Sequence, residues 1–289
     1  MKPVAFDYVL AETAQRATEV LAQHGDDAKV LAGGQSLVPM LNMRLSRPRV
    51  VVDLNGAAEL DYVRASNGVL AVGALARQRR LERWAMEPVP LIAEALRSVG
   101  HEAIRTRGTV AGNIAHADPS SELPAVLLCL EGSVVARATK GERVVPGAEL
   151  FVAPLTTALR ADELLTEVRF VLPPREAGWG FAEVARRHGD FALVGAIALL
   201  WPDADGRIAG ARLAFFGAGG TPVRGPAGEA ILVGHEPTPS RLSEAGRAAA
   251  ANLSPDSDLH ATADYRRKVA GVLAERTLTV ALARCRRPA

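Results

Sequence analysis

The stretch KVLAGGQSLVPMLNMRL, Lys29 to Leu45, constrains the fold more than any other part of the chain. Its apolar start reads as a short buried strand, and Gly33-Gly34 stops that strand. Ser36 stands where a helix N-cap would, and Pro39 falls in the first turn, where a missing N–H costs nothing. Upstream, ETAQRATEVLAQHG puts Ala14, Ala17 and Leu21 on one helical face and stops at Gly25. Downstream, RVVVDLN is a β-branched run of the kind found in buried parallel strands. Residues 1–55 therefore read as a β-α-β-like unit whose glycines follow a strand.

Such a turn has two meanings. It can be a plain strand-to-helix connection. It can also be an anion cradle, because absent side chains let a phosphate approach the main chain and free N–H groups at a helix start point toward it. A second segment, RTRGTVAGNIAHADPSSELP (Arg105–Pro124), joins small residues at 108, 109, 111 and 112 to Asn113, His116, Asp118 and Glu122. Asp118 is expected either to cap the turn before Pro119 or to contact a bound ligand. A third, GAGGTPVRGPAG (Gly217–Gly228), lacks the GxGxxG spacing; with Pro222 and Pro226 behind it, it is expected to be a turn between strands. No Gly-Lys-Ser/Thr sequence of the P-loop kind occurs.

The rest of the chain sorts into elements. GVLAVGAL is expected as a strand and RQRRLERWAM and PLIAEALRSVG as helices. SVVARA, RVVPG and ELLTEVRFVL follow as strands, the last ending at Pro173-Pro174, which is read as a domain boundary. Beyond it FALVGAIALLW, RIAGARLAFFG and EAILVG are expected strands, with PDADG a turn. PSRLSEAGRAAAANL and DYRRKVAGVLAERTLTVALAR are expected to close the chain as helices. Strands followed by helices suggest an α+β C-terminal domain.

Composition removes several function classes. A net charge of +2 with scattered arginines gives no case for nucleic acid or a membrane surface. The longest apolar run stops at Pro202, well short of the ~20 residues needed to span a bilayer, and MKPVAFDYVLAET carries acidic residues where a secretory signal is apolar. A cytoplasmic protein is expected. Two cysteines, Cys129 and Cys285, are too few for a disulfide framework, a four-cysteine zinc site or an iron–sulfur cluster, so no metal is expected on this chain.

Taken together and in this order, KVLAGGQSLVPMLNMRLSRP, RGTVAGNIAHADPSSELP, DELLTEVRF and RRHGDFALVGAIA resemble the FAD-binding medium subunit of molybdenum hydroxylases. This family includes aerobic carbon monoxide dehydrogenase and relatives of xanthine dehydrogenase, and the resemblance runs from about Lys2 to Ala283. It implies an α+β fold: a PCMH or vanillyl-alcohol-oxidase type FAD-binding domain over 1–174, made of two α/β subdomains (about 1–57 and 58–174), and an α+β C-terminal domain over 175–289.

The resemblance also implies a set of cofactor-binding residues. Leu31, Ala32, Gly33, Gly34, Gln35 and Ser36 correspond to a first pyrophosphate loop, with the two glycines in close backbone contact with the ligand. Thr109, Val110, Ala111, Gly112 and Asn113 correspond to a second, usually Thr-Ile-Gly-Gly-Asn in the family. Ala111 thus replaces a glycine, which is harmless at negative φ and unfavourable at positive φ. Val99 belongs to the same implied set. His116 is expected to reach a phosphate or the ribityl chain, Glu122 to accept from a ribityl or ribose hydroxyl, and Leu165 to pack on adenine or flavin. Asp190 and Phe191 fall beside the isoalloxazine, with Phe191 covering the ring or else packing in the core.

In function, the resemblance implies a subunit with no catalytic nucleophile, base or metal of its own. Substrate is oxidised on a large molybdopterin subunit, a small [2Fe-2S] subunit passes electrons on, and FAD delivers them to an acceptor. The expected assembly is a dimer of heterotrimers. The alternatives are a stand-alone FAD-dependent oxidase or reductase of the same fold, and a scaffold that has lost FAD. Family members that reduce aromatic thioesters carry an extra [4Fe-4S] cluster in this subunit, which two separated cysteines cannot hold. On the last helix, Tyr265, Val269, Val272 and Leu273 are candidates for a docking side or for core packing.

Overall fold

A computed structural model describes residues 2–286. The N-terminal unit forms as expected: β1 (Asp7–Leu10), α1 (Ala14–His24), β2 (Ala28–Leu31), α2 (Leu37–Asn42) and β3 (Val50–Asp53). The strands make a parallel sheet in the order β1-β3-β2, so α1 is the crossover that parallel pairing demands. Thr13 caps α1 by accepting from the Arg16 N–H, and Gly25, at φ +52°, ends it. Ser36 occupies the N-cap position of α2, yet its hydroxyl makes no capping bond.

The second sheet is antiparallel, with β4 (Val63–Ser66), β5 (Val69–Gly73), β6 (Ser133–Ala138), β7 (Gly141–Pro146) and the later β10 (Leu164–Val171) in the order β4-β5-β10-β6-β7. Between β5 and β6 run five helices: α3 (Gln78–Ala85), α4 (Pro90–Ser98), α5 (Glu102–Arg107), α6 (Val110–His116) and α7 (Glu122–Cys129). The Gly- and Thr-rich segment Arg105–Pro124 is therefore mostly helical, and α7 is buried along its whole length. A short helix α8 (Gly147–Leu150) and a small hairpin, β8 (Phe151–Ala153) with β9 (Thr156–Thr157), precede β10.

After Pro173-Pro174 a third, antiparallel sheet follows: β11 (Gly178–Val184), β12 (Val194–Pro202), β13 (Ile208–Phe216) and β14 (Val223–Arg224). Along β12, Val194, Ala196, Ala198 and Leu200 pack with the C-terminal helices, while Ile197 and Leu199 join the core of the first 170 or so residues. A strand buried on both faces needs no polar alternation, which explains the continuous VGAIALL run from Val194 to Leu200.

One expected strand is a helix. EAILVG, from Glu229, forms the end of α9 (Pro226–Leu232), with Pro226 at its first position, where proline is tolerated. α10 (Pro239–Ala251) and α11 (Ala263–Arg284) then pack together over the third sheet. The four candidates on α11 divide: Leu273 and Val269 pack into that core, whereas Tyr265 and Val272 are exposed. Among the described residues no helix is long and apolar enough to cross a membrane.

Candidate functional site

The two glycine segments meet in space. The Ala32–Ser36 loop leaves the C-terminal end of β2, and the Gly108–Asn113 segment leads into α6. Gly33 is where they touch. A Cβ built on it would lie 2.5 Å from the Arg107 carbonyl oxygen, 2.7 Å from Gly108 Cα and 3.0 Å from Thr109 N. The missing side chain at this position therefore admits the other loop's backbone. Gly34 has a different reason: its φ of +73° is one that only glycine adopts without strain. Gln35 Nε2 donates to the Gly33 carbonyl at 3.0 Å and holds the loop folded.

The second segment is tied to Ala76–Gln78, the turn leading from β5 into α3. Gln78 N–H donates to the Gly108 carbonyl and Val110 N–H to the Ala76 carbonyl. Thr109 is the N-cap of α6; its hydroxyl accepts from the Gly112 N–H at 3.0 Å. A Cβ at Gly112 would stand 2.6 Å from that hydroxyl, so the cap requires the glycine. Ala111 lies at the second position of α6, in helical conformation and outside the positive-φ residues, with its methyl 3% exposed. The departure at this position is thus sterically neutral.

Both loops line one cavity of about 590 Å³, within the range of cofactor pockets. Of the expected residues, Ala32, Gly33, Gly34, Gln35, Ser36, Val99, Thr109, Ala111, Gly112, Asn113, His116, Glu122, Leu165, Asp190 and Phe191 line it. Leu31 and Val110 do not. Leu31 is paired in the sheet with Asp53 and gives its carbonyl to Leu54 N–H, and Val110 is fully buried in the core with its N–H bound to Ala76. The resemblance implied them by motif; Val110 points into the core, and Leu31 is half-buried with its backbone held in the sheet.

The lining has a defined polar character. The N–H groups of Gly34, Gln35 and Ser36 find no acceptor among the described residues. Ser121 Oγ donates to Asn113 Oδ1 at 2.8 Å, fixing the amide, and Asp118 accepts from the Ser120 N–H at 2.9 Å, capping the turn at Pro119. Glu122, the first residue of α7, is 5% exposed. Burial, reinforced by the nearby charge of Glu183, pushes its carboxyl up to about 8. Burial likewise raises Glu183, on β11, to about 7, and its Oε2 is buried without a partner.

At the mouth, Phe191 is 68% exposed although it lines the cavity, so it is not a core residue. Asp190 beside it faces Arg186 at 3.9 Å, and Gly189, at φ +85°, packs against the His101 ring. Leu165 sits at a β-bulge where β10 shifts register against β6 between Leu165 and Glu167.

Several residues of this region were not singled out by the sequence, although Glu163 lies within DELLTEVRF. Gln78 and Glu163 line the cavity, and Glu163 is held by the Arg143 guanidinium at 2.7 and 2.9 Å. Asn55 and Arg77 lie behind the loops and join them. Asn55 Nδ2 donates to the Ala32 carbonyl at 3.0 Å, Arg77 Nη2 to Asn55 Oδ1 at 2.7 Å, and Arg77 Nη1 to the Arg107 carbonyl at 2.8 Å. Their one sequence signal is position just past strand ends, where open α/β sheets place ligand-binding groups.

A cavity of about 590 Å³ lined by two backbone loops, with unpaired N–H groups, a capped helix start and a neutralisable carboxyl, suits a dinucleotide with a pyrophosphate and hydroxyls. Comparison with known proteins agrees. Residues 4–173 match the family model described as FAD binding domain in molybdopterin dehydrogenase, and residues 179–281 match CO dehydrogenase flavoprotein C-terminal domain. The chain is 42% identical to caffeine dehydrogenase subunit beta of Pseudomonas sp. (strain CBB1), covering 96% of this chain and 95% of that one. It is 41% identical to the 6-hydroxypseudooxynicotine dehydrogenase complex subunit alpha of Paenarthrobacter nicotinovorans, over 99% of this chain and 97% of that one. Among solved structures, carbon monoxide dehydrogenase from Hydrogenophaga pseudoflava superposes with a TM-score of 0.95 at 33% identity, covering 99% of this chain and 100% of that one. The two loops, the three sheets and the matches along the whole chain have one reading: this protein belongs to the family of FAD-binding medium subunits of the molybdenum hydroxylases, and is an oxidoreductase subunit.

Proposed function

We propose that the chain is the electron-transfer flavoprotein of a molybdenum hydroxylase, taking electrons from [2Fe-2S] clusters on a small partner subunit and passing them through FAD to an external acceptor. The large partner would carry molybdopterin and the substrate site, and the assembly would be a cytoplasmic dimer of heterotrimers. The observation that carries this reading is the pair of loops meeting at Gly33 on one wall of the cavity. The names of the relatives add support, because they are subunits of dehydrogenase complexes.

FAD, when bound, supplies a centre that takes and gives electrons singly or in pairs. The chain's own residues bind and orient it. Backbone N–H groups of Gly34 to Ser36 and of Ala111, none of which has an acceptor among the described residues, would hold the pyrophosphate, each charge-assisted contact contributing about 1.5–3 kcal/mol. Asn113 and Glu122 take hydroxyls, Leu165 packs against a ring, and Phe191 closes over the mouth. The boundary at Pro173-Pro174 would separate the FAD-binding domain, 1–174, from the C-terminal domain, 175–289.

The test has two arms. The purified chain, titrated with FAD, should develop a bound-flavin visible spectrum; no binding sinks the reading. Co-expression with the adjacent reading frames should yield a complex containing molybdenum and iron, whereas a lone chain that turns over substrate would establish a stand-alone oxidase or reductase instead.

A further inference from the structure

Each of the two loops is anchored by main-chain hydrogen bonds on its own side of the cavity. The first is anchored by Leu54 N–H to the Leu31 carbonyl in the parallel sheet, the second by the Gly108–Val110 pairing with Ala76–Gln78 after β5. The spacing between the loops depends on what crosses from one subdomain to the other. Gly33 against Arg107 sets the closest approach but supplies no attraction. A continuous hydrogen-bonded bridge does: Ala32 carbonyl, Asn55 amide, Arg77 guanidinium, Arg107 carbonyl, with links of 3.0, 2.7 and 2.8 Å. Asn55 is itself fixed, its N–H donating to Asp53 Oδ1 at 2.9 Å, and Tyr8 O–H donates to the other oxygen of Asp53 at 2.6 Å.

Neither Asn55 nor Arg77 lines the cavity. We infer that Asn55 and Arg77 are positioning residues for the dinucleotide: their bridge holds the carbonyl side of both loops, and so keeps the N–H sides at the separation one pyrophosphate spans. This rests on the FAD reading above. Arginine suits the task because its planar guanidinium donates in two fixed directions at once, to a side-chain amide and to a main-chain carbonyl. A lysine keeps the charge and loses the fork.

The full-length chain is purified without flavin, and FAD affinity is measured by fluorescence titration for the wild type, Arg77→Ala, Arg77→Lys, Asn55→Ala and the Asn55/Arg77 double alanine variant. ADP, which carries the pyrophosphate without the isoalloxazine, is measured by competition. Thermal unfolding of each flavin-free variant supplies the control for stability. The expected result is about a tenfold loss of FAD and ADP affinity in each single variant, Lys included, with the double variant no worse than either. Unfolding temperatures of the flavin-free proteins should stay together. The inference is overturned if affinity is unchanged, if Arg77→Lys restores it and thereby shows that charge alone acts, if the two losses multiply, or if affinity falls only in step with unfolding temperature. Failure of the wild type to bind FAD is a separate outcome; it removes the cofactor reading itself.

Discussion

Gly33 and Arg107 are in backbone contact across the two loops, close enough that a methyl on Gly33 would stand 2.5 Å from the Arg107 carbonyl oxygen. Two neighbouring glycines therefore do different work. Gly34 provides a left-handed turn, and Gly33 provides the space in which the second loop lies.

Gly33→Ala should force the loops apart, because the atoms it meets are main chain and cannot swing aside. Overpacking of this kind costs about 1–3 kcal/mol, or roughly 5- to 150-fold in FAD affinity if the separation absorbs it. Equilibrium titration of the purified variant checks this. Wild-type affinity would show that the loops tolerate a wider gap.

Ala111→Gly tests the family's usual glycine at that position. Since Ala111 is helical and its methyl buried, restoring glycine should not tighten FAD. It should instead destabilise α6 by about 0.5–1 kcal/mol, lowering the melting temperature by about 2 °C. Titration and calorimetry of the same preparation give both numbers, and tighter binding would contradict the observed backbone.

What was legible in the sequence follows from periodicity and punctuation. The Gly25 stop and the run to Pro173-Pro174 leave local traces, so the parallel unit, the antiparallel strands and the last two helices can be read directly, whereas the short helices within Arg105–Pro124 could not be. EAILVG could not be, because so short an apolar run has no period of its own and its helix start, Pro226, also reads as a breaker. Most of the cavity lining was legible through motif resemblance. Leu31 and Val110 belong to the motifs but do not line the cavity, because a motif gives order along the chain and not the direction a side chain takes. The Asn55–Arg77 bridge left no motif, only the position of its members after strands. Its partners are 22 and 30 residues apart and polar, and they meet only after both sheets have formed.

Phe191→Ala should leave the flavin-free protein intact. The ring is 68% exposed, and exposed substitutions usually change stability by less than about 0.5 kcal/mol. If the ring closes over bound flavin, its loss forfeits an aromatic contact of about 0.5–1.5 kcal/mol, roughly two- to tenfold in affinity. Unchanged melting with weakened FAD is the expected pair of results; unchanged affinity would remove Phe191 from the site.

Glu122 and Glu183 predict the pH response of the flavin-free protein. Both carboxyls are raised by burial, to about 8 and about 7, above the value of about 4.5 they return to on unfolding. The folded protein then binds more protons than the unfolded chain between those limits, so stability must fall as pH rises. The contribution is complete below about pH 4.5 and is lost as pH passes through 7 and 8. Denaturant titrations from pH 5.5 to 9 should therefore show a declining midpoint, and Glu122→Gln, which cannot ionise, should flatten the upper part of that decline. FAD binding should oppose the wild-type decline, because hydroxyl donors reaching Glu122 favour its ionised form and release its proton. A stability profile that rises across this range, or one that Glu122→Gln leaves unchanged, would mean that Glu122 is already ionised in the empty cavity.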